Sequence, residues 1–318
     1  MRRAAALALI LGVSGAAALW ALGSLLVAPA PRAVRAPPGL AVEPAEIPSA
    51  SGPLAAWAVP ADSARGVVVL MHGVRADRAS QADRVRLFHR AGYAVVAFDF
   101  QAHGASPGEA ITFGWRERED AVAAVRFARR RFPGLPVAAV GQSMGGAAAV
   151  LAGPRLGADA LVVEAVYASV ERAVRNRLGM RLGGAGRLLA PLLTVQIGPR
   201  LGVPADSLRP VEAIAGVRVP VLVAGGAEDR HAQPDETRAL WAAAPGPKAL
   251  WLVEGAAHQD LYRYAPEAYR QRVLGFLDRH LRQPRAERSA GPPARVVCAA
   301  VWCGGALGER ALPVSRSR

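Results

Sequence analysis

Six short apolar runs recur along the middle of the chain, and they limit its fold more than any other feature. They are Gly66–Met71, Tyr93–Phe98, Val137–Val140, Ala160–Val166, Val219–Ala224 and Ala249–Val253. Each is rich in Val, Ala and Leu and lacks polar alternation, as expected of strands buried on both faces of a parallel sheet. Helical patterns lie between several of them. Ser80–Arg90 sets Val85, Leu87 and Phe88 among charges, and the stretch from Trp115 to Arg131 spaces Val122, Val125 and Phe127. Pro266–Leu281 repeats Tyr269, Val273, Phe276 and Leu277 at helical intervals. This alternation predicts an α/β fold built on an open, mostly parallel, doubly wound sheet. Right-handed crossovers then place helices on both faces. With 318 residues, 52% of them apolar, the chain can bury one large core.

The formal charge of +14 does not mark a nucleic-acid binder. The first 35 residues hold four arginines and no acid, and the stretch after 282 holds six arginines and two glutamates. Taking +4 from each end leaves +6 on a middle where both signs are interspersed, with no basic run interleaved with aromatics.

Both ends differ from the middle. Arg2 and Arg3 precede an uncharged stretch from Ala4 to Ala30. A helix of that length would measure about 40 Å, enough to cross a hydrocarbon core of about 30 Å. Residues 1–30 are therefore expected to be a membrane anchor that leaves the rest of the chain outside the cytoplasmic membrane. The other reading is a signal peptide cleaved near Ala28-Pro29-Ala30, which would release the protein. Residues 31–53, with Pro37-Pro38, read as a Pro/Ala-rich linker. Residues 54–282 form the expected α/β domain, and 283–318 read as a disordered tail carrying Cys298 and Cys303. The spacing of those two cysteines fits no zinc pattern. No metal or other cofactor is expected.

The chemistry gathers at strand ends. Val137–Val140 runs into Gly141-Gln142-Ser143-Met144-Gly145, a G-x-S-x-G turn leading to an Ala-rich helical segment. Such a strand–turn–helix strains the serine backbone and lifts its hydroxyl above the sheet. Ser143 is the expected nucleophile. His258 follows the last run in a Gly/Ala loop and is the expected base. Asp229 follows Val219–Gly225 and is the expected orienting acid, with Glu228 as the fallback and Glu164 less favoured. The backbone N–H groups of Val74 and Met144 are the expected oxyanion donors. His72, His103 and Asp99 read as structural, and Asp260 as organising the His258 loop.

Taken together, the His72-Gly73 turn, Asp99 with His103-Gly104-Ala105-Ser106, Gly141–Gly146, Asp229 and Gly255…His258 resemble the α/β-hydrolase superfamily. The pattern is similar to its serine-aminopeptidase-like branch and to membrane-anchored depalmitoylase-like hydrolases. One departure is Gln101-Ala102, where that branch commonly has Arg-Gly. The resemblance implies an α/β-hydrolase fold and a serine hydrolase acting through an acyl-enzyme. Its substrate would be a small-molecule or lipid-like carboxylic ester or thioester. A peptidase or acyltransferase with the same triad, or a silent membrane-tethered binding module, are the alternatives. Residues from about 167 to 218 are too many for a simple crossover and are expected to form a small helical cap. Leu188, Leu189, Leu192, Leu193, Val195 and Ile197 would be its apolar part.

Overall fold

The computed structural model describes residues 2–281. The expected tail, with Cys298 and Cys303, lies outside the described residues. Ten strands follow in chain order: β1 (Ala30–Pro31), β2 (Glu43–Ser49), β3 (Gly52–Val59), β4 (Val67–Met71), β5 (Ala94–Phe98), β6 (His103–Gly104), β7 (Val137–Gln142), β8 (Ala160–Glu164), β9 (Val221–Gly226) and β10 (Lys248–Val253). Eight of them form one sheet in the order β10-β9-β8-β7-β4-β5-β3-β2. Every neighbouring pair from β10 to β5 is parallel, while β3 pairs antiparallel with both β5 and β2. Each apolar run from the sequence becomes a strand of this sheet. β4, β5, β8 and β9 are buried along their whole length, as strands covered on both faces must be.

The principal helices are α1 (Arg2–Val27), α2 (Ala82–Arg90), α3 (Glu117–Arg131), α4 (Met144–Ala152), α5 (Val170–Thr194), α6 (Ile197–Leu201), α7 (Pro210–Ala213) and α8 (Pro234–Ala243). Two apolar cores lie on opposite faces of the sheet. One joins Met71, Val96 and Val163 to Val125 of α3 and Ala148 of α4. The other joins Leu70, Val95 and Val162 to Phe88 of α2 and to Tyr269, Val273 and Leu277 of the closing helical segment.

Residues 31–53, the expected Pro/Ala-rich linker, include regular structure. They contain β2, and Ala30–Pro31 pairs in parallel with His103–Gly104. The reason lies in the composition of β2. Pro44 and Pro48 lack an N–H, which an edge strand tolerates because one backbone side needs no partner. Ile47 is the one β2 residue that is fully buried. The strand therefore gives no apolar run, and its proline content imitates a linker.

Residues 167–218 hold α5, α6 and α7, as expected of a cap. Val170, Ile197, Leu201, Val203 and Leu208 make a small core of their own. Helix α5 folds back at Gly183, where φ is 60°. Of its expected apolar part, Leu193 and Ile197 are buried, but Leu188, Leu189, Leu192 and Val195 are exposed. Leu188 alone retains 82% of its surface.

One charged side chain lies deep beneath the sheet's carboxyl edge. Arg84 is 1% exposed and donates to Glu164 Oε2 and Asp260 Oδ2, both at 2.6 Å. Tyr269 hydroxyl donates to the other Glu164 oxygen. Removing one partner of such a pair leaves an uncompensated buried charge, which costs about 3–5 kcal/mol. Arg84→Met should therefore lower the denaturant midpoint substantially. A melt indistinguishable from wild type would show that the pair contributes no net stability.

Candidate active site

Strands β7, β9 and β10 run parallel with β8 between β7 and β9, so the turns that follow them open on the same edge of the sheet. Backbone hydrogen bonds cross that edge from turn to turn. Ser143 N donates to Glu164 O at 2.7 Å and Ala165 N to Ala224 O at 2.8 Å. Ala227 N donates to Val253 O and Glu228 N to Ala256 O, both at 2.9 Å. The three loops carrying Ser143, Asp229 and His258 are thereby stitched side by side.

Ser143 sits at φ 50°, ψ −116°, between β7 and α4. A non-glycine residue in that region is strained, at a cost of about 1–3 kcal/mol. The flanking glycines are required by contact. A Cβ at Gly141 would lie 2.6 Å from Gly146 Cα, and one at Gly145 would lie 2.4 Å from Met71 O. The serine is buried, at 5% exposure. Met144 opens α4, and the first amides of a helix have no intrahelical acceptor. The turn carrying Val74 adjoins the elbow, since a Cβ on Gly73 would be 3.6 Å from Ser143 Cβ.

His258 Nδ1 donates to Asp229 Oδ2 at 2.7 Å. The other Asp229 oxygen accepts from His231 N at 2.7 Å and Ala232 N at 3.0 Å. Asp229 is buried while the imidazole is half-buried, so the ring meets the site and the carboxylate holds it from below. Glu228 is exposed and points its backbone, not its carboxylate, at the His258 loop. Glu164 is committed to Arg84 and Tyr269. Asp260 ties the His258 loop to Arg84 and caps the following turn through Arg263 N.

The remaining expected structural residues are held by buried contacts, although among the described residues His103 Nε2 has no hydrogen-bond partner. Asp99 pairs with Arg78 and accepts from Ala105 N at 2.8 Å. His72 is fully buried. Its Nε2 accepts from Phe100 N at 3.1 Å, so Nδ1 carries the proton and donates to Gly73 O at 2.7 Å. His103 Nδ1 lies 2.8 Å from Gln101 O, and its ring meets His72 edge-on. At the departure Gln101-Ala102, the Gln101 amide donates to Glu117 Oε1 at 2.9 Å, which satisfies a buried carboxylate.

Sequence reasoning overlooked His231. Its ring lies 4.8 Å from that of His258, and the only signal was its place two residues after Asp229. Partial burial, then the adjacent His258, lowers its pKa below the ordinary value. Asp229, His231 and His258 offer ligand atoms within 4.8 Å of one another. Such a donor set suits a transition metal in kind. However, an ion on Asp229 Oδ2 or His258 Nδ1 would have to displace the hydrogen bond between them, and the positive Arg177 bears on the same carboxylate.

The sheet order, with the strand-to-helix turn at Ser143, is that of the α/β-hydrolase fold. Residues 62–208 match the family described as serine aminopeptidase, S33, a stretch that includes Ser143 and ends before Asp229 and His258. The chain is similar to the uncharacterized protein YqkD of Bacillus subtilis, 27% identical over 237 residues, covering 73% of this chain and 78% of that one. Among solved structures it resembles an esterase of Pyrococcus furiosus, with a TM-score of 0.67 and 22% identity over 80% of this chain and 98% of the esterase. It also resembles the acylaminoacyl peptidase of Pyrococcus horikoshii, with a TM-score of 0.56 and 15% identity over 77% of this chain and 42% of the peptidase.

Burial pushes the pKa of His72 down to about 3, with His103 acting in the same direction. In the unfolded chain the ring takes a proton near about 6.5. The unfolded state therefore binds more protons between these values, so stability falls as pH drops from about 6.5 towards 3 and is retained above. His72→Asn should flatten that part of the profile, read from denaturant midpoints between about pH 4 and about pH 7. An unchanged slope would mean that other groups set it.

Proposed function

We propose that this chain is a serine hydrolase of carboxylic esters or thioesters, working through an acyl-enzyme on Ser143. The observation that carries this reading is the 2.7 Å hydrogen bond from His258 to buried Asp229, at the same sheet edge as a serine held at positive φ on a strand-to-helix turn. His258 takes the Ser143 proton through Nε2 as Oγ bonds to the carbonyl carbon. The oxyanion is met by the N–H groups of Met144 and Val74. The C–O or C–S bond then breaks, and His258 returns its proton to the leaving alkoxide or thiolate. Water repeats the sequence and frees the acid, while Asp229 fixes the Nδ1–H tautomer and stabilises the imidazolium. The likeness to an esterase supports an ester substrate, and the likeness to a peptidase keeps amides within the same chemistry.

A fluorophosphonate probe should label wild type and should not label Ser143→Ala, with both proteins equally folded by circular dichroism. Asp229→Asn should lower turnover of a short ester by about 10⁴. Labelling of the Ser143→Ala protein would remove this serine from the mechanism. Near-full activity of Asp229→Asn would remove the acid.

The helix Ala5–Val27 is long and apolar enough to be a membrane anchor or a signal sequence. Its large side chains from Leu7 to Leu26, apart from the half-buried Leu19, are exposed. We take it as an anchor. The full-length chain should then stay in the membrane fraction after carbonate washing. Amino-terminal sequencing that finds a mature start near residue 31, in the soluble fraction, would make the helix a cleaved signal instead.

A further inference from the structure

The fold of α5 at Gly183 brings Arg187 back across Gly179, where an added Cβ would lie 3.1 Å from the Arg187 Nε. This closes one wall of a pocket of about 290 Å³. Arg172, Arg175 and Arg187 line it from α5, and Arg230 lines it from the loop that follows β9. No carboxylate lines it. Several exposed arginines elsewhere meet acids, as in Arg155–Glu119, Arg131–Glu43 and Arg209–Glu212. Arg172 likewise pairs with Asp235. Among the described residues, Arg175, Arg187 and Arg230 take part in no ion pair and no side-chain hydrogen bond. Cations converging on one concavity repel each other, and a bound anion relieves that repulsion.

The pocket adjoins the catalytic edge. Arg230 stands between Asp229 and His231 in the chain, and the His231 ring is 4.8 Å from that of His258. Asn176, another lining residue, donates to His231 O at 2.9 Å. The next residue, Arg177, is half-buried, and its charge bears on Asp229 and His231. Because His258 delivers the proton to the leaving group, a pocket on its flank faces that half of the substrate. We infer that this pocket is an oxyanion subsite, and that the preferred substrate is an ester whose leaving alcohol bears a carboxylate or phosphate. This rests on the hydrolase reading above. Arginine suits such groups because its planar fork can bind two oxygens at once.

The test uses the full-length protein in detergent and two matched substrate pairs. The soluble pair is 4-acetoxybenzoate and its methyl ester, each normalised to its uncatalysed hydrolysis. The lipid pair is lysophosphatidylglycerol and a monoacylglycerol of the same chain. Wild type should prefer the anionic member of at least one pair. Arg187→Gln and Arg230→Gln should each reduce that anionic-to-neutral ratio of kcat/KM by about tenfold, the scale of one charge-assisted hydrogen bond. The change should appear mainly in KM and shrink at high salt. Arg126→Gln, on the exposed face of α3, removes the same charge elsewhere and should leave the ratio alone. Loss in the soluble pair points to a dissolved substrate, and loss in the lipid pair to a headgroup. Ratios that ignore both pocket variants overturn the inference. Calorimetric titration with 4-hydroxybenzoate keeps it testable without turnover. Binding that weakens in Arg187→Gln, in a protein that hydrolyses neither pair and takes no fluorophosphonate, would support the subsite and reject the hydrolase. Equal binding by wild type and both variants would reject the subsite.

Discussion

The buried guanidinium of Arg84 ties together parts of the chain that the sheet alone does not join. It is anchored on α2, and it holds Glu164 at the end of β8 and Asp260 in the loop after β10. Glu164 in turn accepts the Ser143 amide through its carbonyl oxygen. The Ser143 turn and the His258 loop therefore share one ionic support, reached from beneath the sheet. Burying so much charge costs several kcal/mol per ion unless geometry and hydrogen bonds compensate. Here two carboxylates and the Tyr269 hydroxyl surround the cation, which is the arrangement in which such a group fixes a unique geometry.

That support matters because the serine's backbone is not at rest. At φ 50° it persists only while the surroundings over-determine it. The determination is steric as well as hydrogen-bonded. Gly141 meets Gly146 across the turn, and Gly145 lies against the carbonyl of Met71 at the end of β4. A methyl group at either glycine would push α4 off the sheet and move Ser143 with it. The strain, the glycines and the ladder from Ser143 to Ala256 are one construction, and the proposed chemistry depends on its rigidity.

What could be read in the sequence follows from this construction. Strands buried on both faces must be continuous apolar runs, so β4, β5, β7, β8 and β9 were visible; β10, a partly buried edge strand, was visible through its run Ala249–Val253. A strained serine between contacting helix and strand needs glycines at fixed positions, so the turn at Ser143 was visible too. Edge strand β2 was not, because it buries one large side chain and its prolines carry the signature of a linker. Arg84 was not, because a single arginine among the charges of α2 is indistinguishable from a solvated one until the fold closes over it. His231 and the pocket arginines were hidden for a related reason. Their proximity comes from the reversal at Gly183 and from loops meeting across the sheet edge, and neither leaves a periodic trace.

The same point alters how the amino-terminal helix relates to the domain. A flexible tether would let the domain turn freely beneath α1. Instead Val27 O accepts from Ile111 N at 2.8 Å, and Ala30–Pro31 pairs with His103–Gly104. Arg200 of the cap stacks on Trp20 at 3.8 Å and donates to Ser24 Oγ at 2.7 Å. Helix, cap and the loop beside His72 are thus fixed to one another. If α1 is the proposed anchor, its attachment would set the orientation of the domain as well as its distance from the bilayer. The exposed Leu188, Leu192 and Val195 lie on the cap that α1 contacts, so an orientation that embedded α1 would also govern how near those side chains came to a lipid surface. Access to Ser143 would then depend on the cap and the membrane together.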